Sequence, residues 1–286
     1  MRKRWLSGPS GRLPRTVPSG ARAGLAPWVG AGLLLGLLGG LVSQAPASWL
    51  AAAVASASDE RLLLADARGT LWNGSAVALL TAGGGARGAS ALPGRLEWDL
   101  GRAAGSLLQF DLQLRQACCI DGSLRLKLSP GLGRLRIDLP PGRRTLGRWP
   151  ASWLAGLGAP FNTLQLSGML RLSSDQLALE SVGGHWSVAG TGELQVLALA
   201  SPLTPLDSLG SYRLTLSGEG AGAPGARLAL ATLQGPLRLS GDGQWVGPRL
   251  RFRGQAQADA GTEAVLNNLL NLMGQRQGAL ALLAIG

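Results

Sequence analysis

Histidine is nearly missing from this chain: among 286 residues only His185 carries an imidazole. Without a second histidine there is no His-pair metal site and no His-x-x-x-His spacing. His185 lies between Gly184 and Trp186 at an expected strand start, where it reads as a structural or surface residue. Lysine is equally scarce, with only Lys3 and Lys127, and the aromatic set holds one Tyr and three Phe. The basic residues are therefore almost all Arg, scattered singly without interleaved Tyr or Phe stacking partners, which points away from nucleic acid. The chain also lacks a Gly-x-Ser-x-Gly elbow and a Walker loop. Gly83, Gly84 and Gly85 fall in a hairpin-like loop, not between a strand and a helix. Acidic residues are sparse and mostly isolated, so only the fold could make a carboxylate pair. No enzyme activity is expected, and no metal or cofactor.

Two cysteines exist, Cys118 and Cys119, and their adjacency excludes a CxxC redox motif. Neighbouring residues on a strand point to opposite faces. Three states stay open: two reduced thiols, an intermolecular bridge, or a vicinal disulfide in a turn before Asp121-Gly122.

Charge is absent from Ala23 to Ser58, and no acidic residue precedes Asp59. Six basic residues precede Ala23 (Arg2, Lys3, Arg4, Arg12, Arg15 and Arg22), so the rest of the chain carries +5 of the net +11. A spanning helix needs about 20 apolar residues. Residues 25–47 supply that length, with Trp28 and Trp49 near the two expected interfaces. The positive-inside rule then keeps the basic tail, 1–24, in the cytoplasm and exports everything after about Pro46. The competing reading is a cleaved signal peptide with small residues at Ala45, Ala47, Ala55 and Ala57. Against it stand the long basic region and an apolar run beyond the usual h-region of about 7 to 15 residues. Gly32, Gly36 and Gly40 recur every fourth residue and share one helix face, where a second helix could approach closely. The alternative is that glycine is simply frequent in such helices.

A content of 44 Gly and 16 Pro, with Leu, Ala and Val as the main apolar residues, suits many short strands joined by turns. After a small-residue connector, 48–60, period-two alternation begins and runs through a periplasmic β-rich domain, 61–286. Expected strands include 69–80, 94–100, 107–115, 123–128, 133–139, 163–172, 176–180, 186–199, 211–217, 236–245 and 249–258. Turns are expected at Asp121-Gly122, Gly183-Gly184 and Gly241-Asp242-Gly243. A loose repeat pairs Gly168 to Gly190 with Gly235 to Gly254: a Gly-x-Leu-x-Leu strand, a turn, a Trp-bearing strand and another glycine. Pro150 to Leu157 and Thr262 to Met273 have helical spacing. In the second, Thr262 would cap and Val265, Leu266, Leu269, Leu270 and Leu272 would form the apolar face. The expected fold is mainly β: a curved antiparallel sheet or open β-roll or barrel of stacked hairpins with two short helices, preceded by one transmembrane helix.

The order of short motifs carries a resemblance. These are Pro46-Ala47-Ser48-Trp49-Leu50, Gly69-Thr70-Leu71-Trp72-Asn73-Gly74-Ser75-Ala76, Leu96-Glu97-Trp98-Asp99-Leu100, Leu209-Gly210-Ser211-Tyr212-Arg213-Leu214, Gly235-Pro236-Leu237-Arg238-Leu239-Ser240-Gly241 leading to Trp245, and Phe252-Arg253-Gly254. Over about Pro46 to Gly274 the chain resembles the protein N family of the general (type II) secretion pathway. The resemblance implies a bitopic inner-membrane protein without catalytic function. Its partners would be the secretion platform subunits and the outer-membrane secretin, and its task the export of folded proteins from the periplasm. The long Arg-rich tail and the Cys118-Cys119 pair depart from the family pattern. Docking through strand edges or arginine-bearing faces is the expected mechanism. The alternative reading is a lipid- or lipopolysaccharide-handling groove, which would need an apolar gutter open to solvent.

Overall fold

The computed structural model describes residues 26–85, 88–106, 108–220, 225–247 and 249–285. The chain divides into two compact units, Met1–Gln44 and Ala45–Gly286. The basic tail expected over 1–24 lies outside the described residues.

In the first unit one helix is described, α1 (Ala26–Ser43). Its 18 residues rise about 27 Å at 1.5 Å each. Among the described residues, no helix is long and apolar enough to cross a membrane. The transmembrane helix expected over 25–47 is therefore not found among the described residues, and α1 also ends short of residue 47, for a physical reason. The helix stops at Ser43, whose hydroxyl turns back to donate to the Gly40 carbonyl at 2.9 Å. Ala45 and Ala47 are then buried in the second unit, each only 1% exposed. The Ala45 carbonyl accepts from the Leu71 N–H at 2.7 Å, and Pro46 bridges Thr70.

The expected connector of 48–60 is instead mostly a helix, α2 (Ala47–Ala57). Alanine is the strongest helix former, and Pro46 fixes an extended φ of −70° immediately before the first turn. Ala47 and Leu50 pack with Leu64, Ala76 and Trp98.

Sixteen strands follow among the described residues. The first eight are β1 (Leu62–Gly69), β2 (Asn73–Thr81), β3 (Ala89–Ala91), β4 (Leu96–Arg102), β5 (Phe110–Arg115), β6 (Leu124–Gly131), β7 (Arg134–Asp138) and β8 (Arg144–Pro150). A 3₁₀ segment (Ala151–Leu157) and a single turn, α3 (Phe161–Leu164), lead to the second eight. These are β9 (Ser167–Val182), β10 (His185–Ala200), β11 (Gly210–Glu219), β12 (Arg227–Gln234), β13 (Leu237–Val246) and β14 (Arg249–Ala258), then β15 (Gln275–Gln277) and β16 (Leu280–Ile285) after the helix α4 (Glu263–Met273).

All strands join one antiparallel sheet ordered β1-β2-β4-β5-β6-β7-β9-β10-β11-β12-β13-β14-β16-β15, with β3 on β2 and β8 on β9. The sheet is open: β1 pairs with β2 and β15 with β16, and no described pairing joins these two edges. Its spine is the hairpin of β9 and β10, 16 residues each. The N-terminal half of β9 takes β8 and its C-terminal half takes β7. Near the middle, Gln176 sits at φ +52° and the register with β10 shifts between Ala189 and Thr191. Such a bulge inserts one residue, which keeps Leu170 and Leu172 before it on the same face as Leu177 and Leu179 after it. That explains why the alternation reads as two strands, 163–172 and 176–180, where one exists.

Two other expectations change. Residues 69–80 are not one strand, because the chain reverses at Thr70–Trp72 between β1 and β2. Gly241-Asp242-Gly243 is no turn but the middle of β13. A Cβ at Gly241 would stand 2.5 Å from Cζ of Phe252, so the missing side chains make room for that ring. Both halves of the loose repeat are hairpins, β9–β10 and β13–β14, but Trp186 starts the second strand of one whereas Trp245 ends the first strand of the other. In α4, Leu266, Leu269 and Leu270 are buried as expected, yet Leu272 is 53% exposed. Thr262 occupies the N-cap position without capping; its hydroxyl donates backwards to the Asp259 carbonyl at 2.7 Å.

Candidate functional site

Period-two alternation separates the two faces of the sheet chemically. Cross-strand partners on one face include Leu114 with Leu124, Leu112 with Leu126, Phe110 with Leu128, Leu128 with Ile137 and Ile137 with Leu179. On the other face Asp111 opposes Lys127, Gln113 opposes Arg125 and Arg136 opposes Glu180.

Coverage of the apolar face is uneven. Residues of α3, α4 and the 3₁₀ segment join Leu170, Leu199, Leu209, Tyr212, Leu237 and Ala256 in the largest buried cluster. A smaller cluster lies under α2. Between them Leu126, Leu128, Ile137, Leu179, Val188, Leu216 and Leu228 are only half-buried and belong to neither. The apolar face is thus filled where helices cover it and half-open in a strip across β6, β7, β9, β10, β11 and β12.

The polar face carries cavities of about 300, 940 and 380 Å³, lined mainly by its side chains. Ion pairs on the protein surface include Arg213 with Glu193 at 3.0 Å, Arg136 with Asp138 at 2.8 Å and Arg238 with Asp259 at 2.8 Å. Among the described residues no group of three or more His, Cys, Asp and Glu side chains could hold a metal ion.

The singled-out residues fall in separate places. Gly32, Gly36 and Gly40 lie along α1, and a Cβ at any of them would meet nothing within 4 Å among the described residues. Cys118 and Cys119 are joined by a disulfide in the turn after β5, with Cα atoms 3.7 Å apart. Cys119 is buried beside Ala78, Leu92, Trp149 and Trp153, while Cys118 is exposed. His185 is exposed at the tip of the β9–β10 hairpin, opposite Val182. Gly83–Gly85 form the loop between β2 and β3.

The quoted motifs meet in space. Gly74 on β2 pairs with Trp98 on β4, and next to them Asn73 Nδ2 donates to Asp99 at 3.0 Å. Gly235 and Gly210 touch back to back: a Cβ on Gly235 would lie 2.2 Å from the Gly210 Cα. Gly210 itself has φ +145°, a value that favours glycine. Above them the Tyr212 hydroxyl lies 3.0 and 2.9 Å from the carbonyls of Leu209 and Leu237, and burial pushes its pKa above the usual phenol value.

These features define a class: a mainly β protein built on one large open antiparallel sheet, with few helices and a chemically two-faced surface. A family model described as "Type II secretion system (T2SS), protein N" matches residues 60–282, and the chain belongs to that family. Membership ties it to the type II secretion system and to protein transport. No match was found among curated proteins or among solved structures.

Proposed function

We infer that this chain is a single-pass inner-membrane subunit of the type II secretion system, with its β domain in the periplasm. It supports export of folded proteins across the outer membrane by docking onto other subunits and is not an enzyme. Family membership supports this reading, and the open sheet carries the docking mechanism. The β1 edge is blunted by a bulge at Asp66 and by charge, a common protection against unwanted pairing. At the other edge β15 covers only Leu280–Leu282 of β16, so the backbone beyond Leu282 has no outer strand among the described residues. A partner strand can add there by main-chain hydrogen bonds. The anchor rests on the uncharged residues 23–58 behind six basic ones, with α1 supplying about 27 Å against a hydrocarbon core of about 30 Å. Gly32, Gly36 and Gly40 would seat a second helix, since their face is unfilled among the described residues.

One observation favours a second reading. The half-open strip through Leu128, Ile137, Leu179 and Val188 is an apolar gutter of the kind a lipid- or lipopolysaccharide-handling protein would use.

In-cell crosslinking and pull-down of the full chain in its native membrane tests both, with a variant lacking 25–47 as control. Recovery of secretion platform or secretin subunits upholds the secretion reading, and its loss in the control shows that the anchor is needed for docking. Recovery of lipid carriers or bound lipid without secretion subunits would replace it by the gutter reading.

A further inference from the structure

We propose that the polar face between β8 and β11 holds a binding site for a phosphate-class oxyanion. Four strands present it in register. Thr145, Ser173 and Glu193 oppose one another in one row, and Arg148, Arg171, Gln195 and Arg213 in the next. Neighbouring strands lie about 4.8 Å apart, so these side chains converge within a few strand widths. All of these except Arg148 line a cavity of about 380 Å³, together with Arg143 just before β8 and Arg144 at its start.

The charges of this cavity do not balance. Arg143, Arg144, Arg171 and Arg213 face a single carboxylate, Glu193. That carboxylate is already engaged: its Oε1 accepts from Arg213 Nε at 3.0 Å and from Gln195 Nε2 at 2.5 Å. Arg148, directly opposite Arg171, is held by Asp121 on the far side. Arg143, Arg144 and Arg171 have no acidic partner among the described residues. Arg171 is moreover half-buried in the sheet. Like charges set opposite on neighbouring strands repel, and a bound anion would remove that cost.

Guanidinium forks match phosphate oxygens two at a time, and the Ser173 and Thr145 hydroxyls can donate to those left over. Because the donors converge on a cavity and do not follow a strand edge, a compact tetrahedral anion fits better than an extended acidic peptide. Among the described residues no aromatic side chain lines the cavity, so none of them would stack a nucleobase there.

Calorimetric titration of the full chain in uncharged detergent micelles tests the proposal, with inorganic phosphate and a micelle-soluble short-chain phosphatidic acid as separate ligands and chloride as the reference salt. Saturable binding of either is expected, weakened about 10-fold or more in Arg171→Gln and in Arg144→Gln, the latter lying at an exposed position. Arg171→Lys keeps the charge without the fork and should retain only part of the affinity. Arg125→Gln, exposed on the same face outside the cavity, should stay within about two-fold. Binding of inorganic phosphate identifies a free anion as sufficient; binding of phosphatidic acid alone identifies a lipid headgroup as the source. Absence of saturable binding to both, or binding that Arg171→Gln and Arg144→Gln leave unchanged, would overturn the site. Should Arg171→Gln fail to fold, Arg144→Gln decides.

Discussion

Trp98 stands over Gly74 so closely that a Cβ there would lie 2.5 Å from Cζ2 of the indole. The indole Nε1 donates to the Leu71 carbonyl at 3.1 Å, locking the β1–β2 turn under the ring. Two motifs far apart in the sequence are therefore one structural device. The missing side chain at position 74 makes room for the tryptophan, and the tryptophan closes the turn.

Gly74→Ala should destabilise the β domain by about 1–3 kcal/mol, the usual cost of overpacking. Trp98→Ala should cost about 3–5 kcal/mol through the cavity it leaves. The double variant should fall short of their sum, because the two share one contact. It should not recover fully, since the Arg68 and Thr70 carbonyls also stand 2.7 and 2.9 Å from the new Cβ. Urea unfolding of the four proteins reads this, and strict additivity would show that ring and glycine are independent.

Tyr212 makes the same kind of closure at the other cluster. Tyr212→Phe removes the only hydroxyl between the Leu209 and Leu237 carbonyls, at a cost of about 1–3 kcal/mol. Burial raises the folded pKa above the unfolded value of about 10. The neutral phenol's contribution is complete below that unfolded value and is lost as pH rises above it toward the folded pKa. The wild type should lose stability above about pH 10 more steeply than Tyr212→Phe. Parallel curves from denaturant unfolding at stepped alkaline pH would remove Tyr212 from that account.

Much of the fold was legible because strand alternation is local. Leu124 to Leu128 and Arg134 to Ile137 carry their facing in their own order, and β6 and β7 appear where the pattern puts them. Glycine was the source of error. The Gly241-Asp242-Gly243 run has the composition of a turn, yet it lies within β13, where its missing side chains make room for Phe252 on the next strand. The end of α1 was illegible because Ala45 and Ala47 look apolar enough for lipid, yet they fit beside Leu71 and Trp98, which sequence cannot bring near. The arginine cavity escaped because Arg144, Arg171 and Arg213 lie on three strands and meet through pairing alone.

Asp66 anchors a charge cluster at the β1 edge. Arg95 Nη1 reaches its carboxylate at 2.7 Å and Arg68 at 2.8 Å, and the Arg95 hydrogen bond, followed by that of Arg68, holds the carboxyl pKa below its ordinary value. A depressed pKa contributes stability that is present above the unfolded value near 4 and is lost as pH falls through the folded one. Asp66→Asn keeps a residue that tolerates the φ of +49° and deletes the titration. Melting temperatures below pH 4 should therefore drop less steeply in Asp66→Asn than in the wild type. Identical slopes would show that the Arg95 contact adds nothing to acid stability.

Cys118 and Cys119 differ in surroundings despite being neighbours. The Cys119 carbonyl accepts from the Arg148 N–H at 2.7 Å, which ties the turn to β8, and its side chain fills an apolar cluster. If the pair is bridged within one chain, alkylation of unfolded protein without reductant should add no label, and reduction should admit two labels without releasing a dimer. Direct labelling would indicate free thiols, and a reductant-sensitive dimer an intermolecular bond. Cys118→Ser and Cys119→Ser each break the bridge, so that loss is common to both. The difference between them isolates burial. Cys119→Ser places a hydroxyl among Ala78, Leu92 and Trp153 and should be the less stable by about 1–3 kcal/mol, whereas Cys118→Ser leaves its hydroxyl in solvent. Equal melting temperatures for the two variants would show that the Cys119 cluster tolerates a polar group and does not hold the turn.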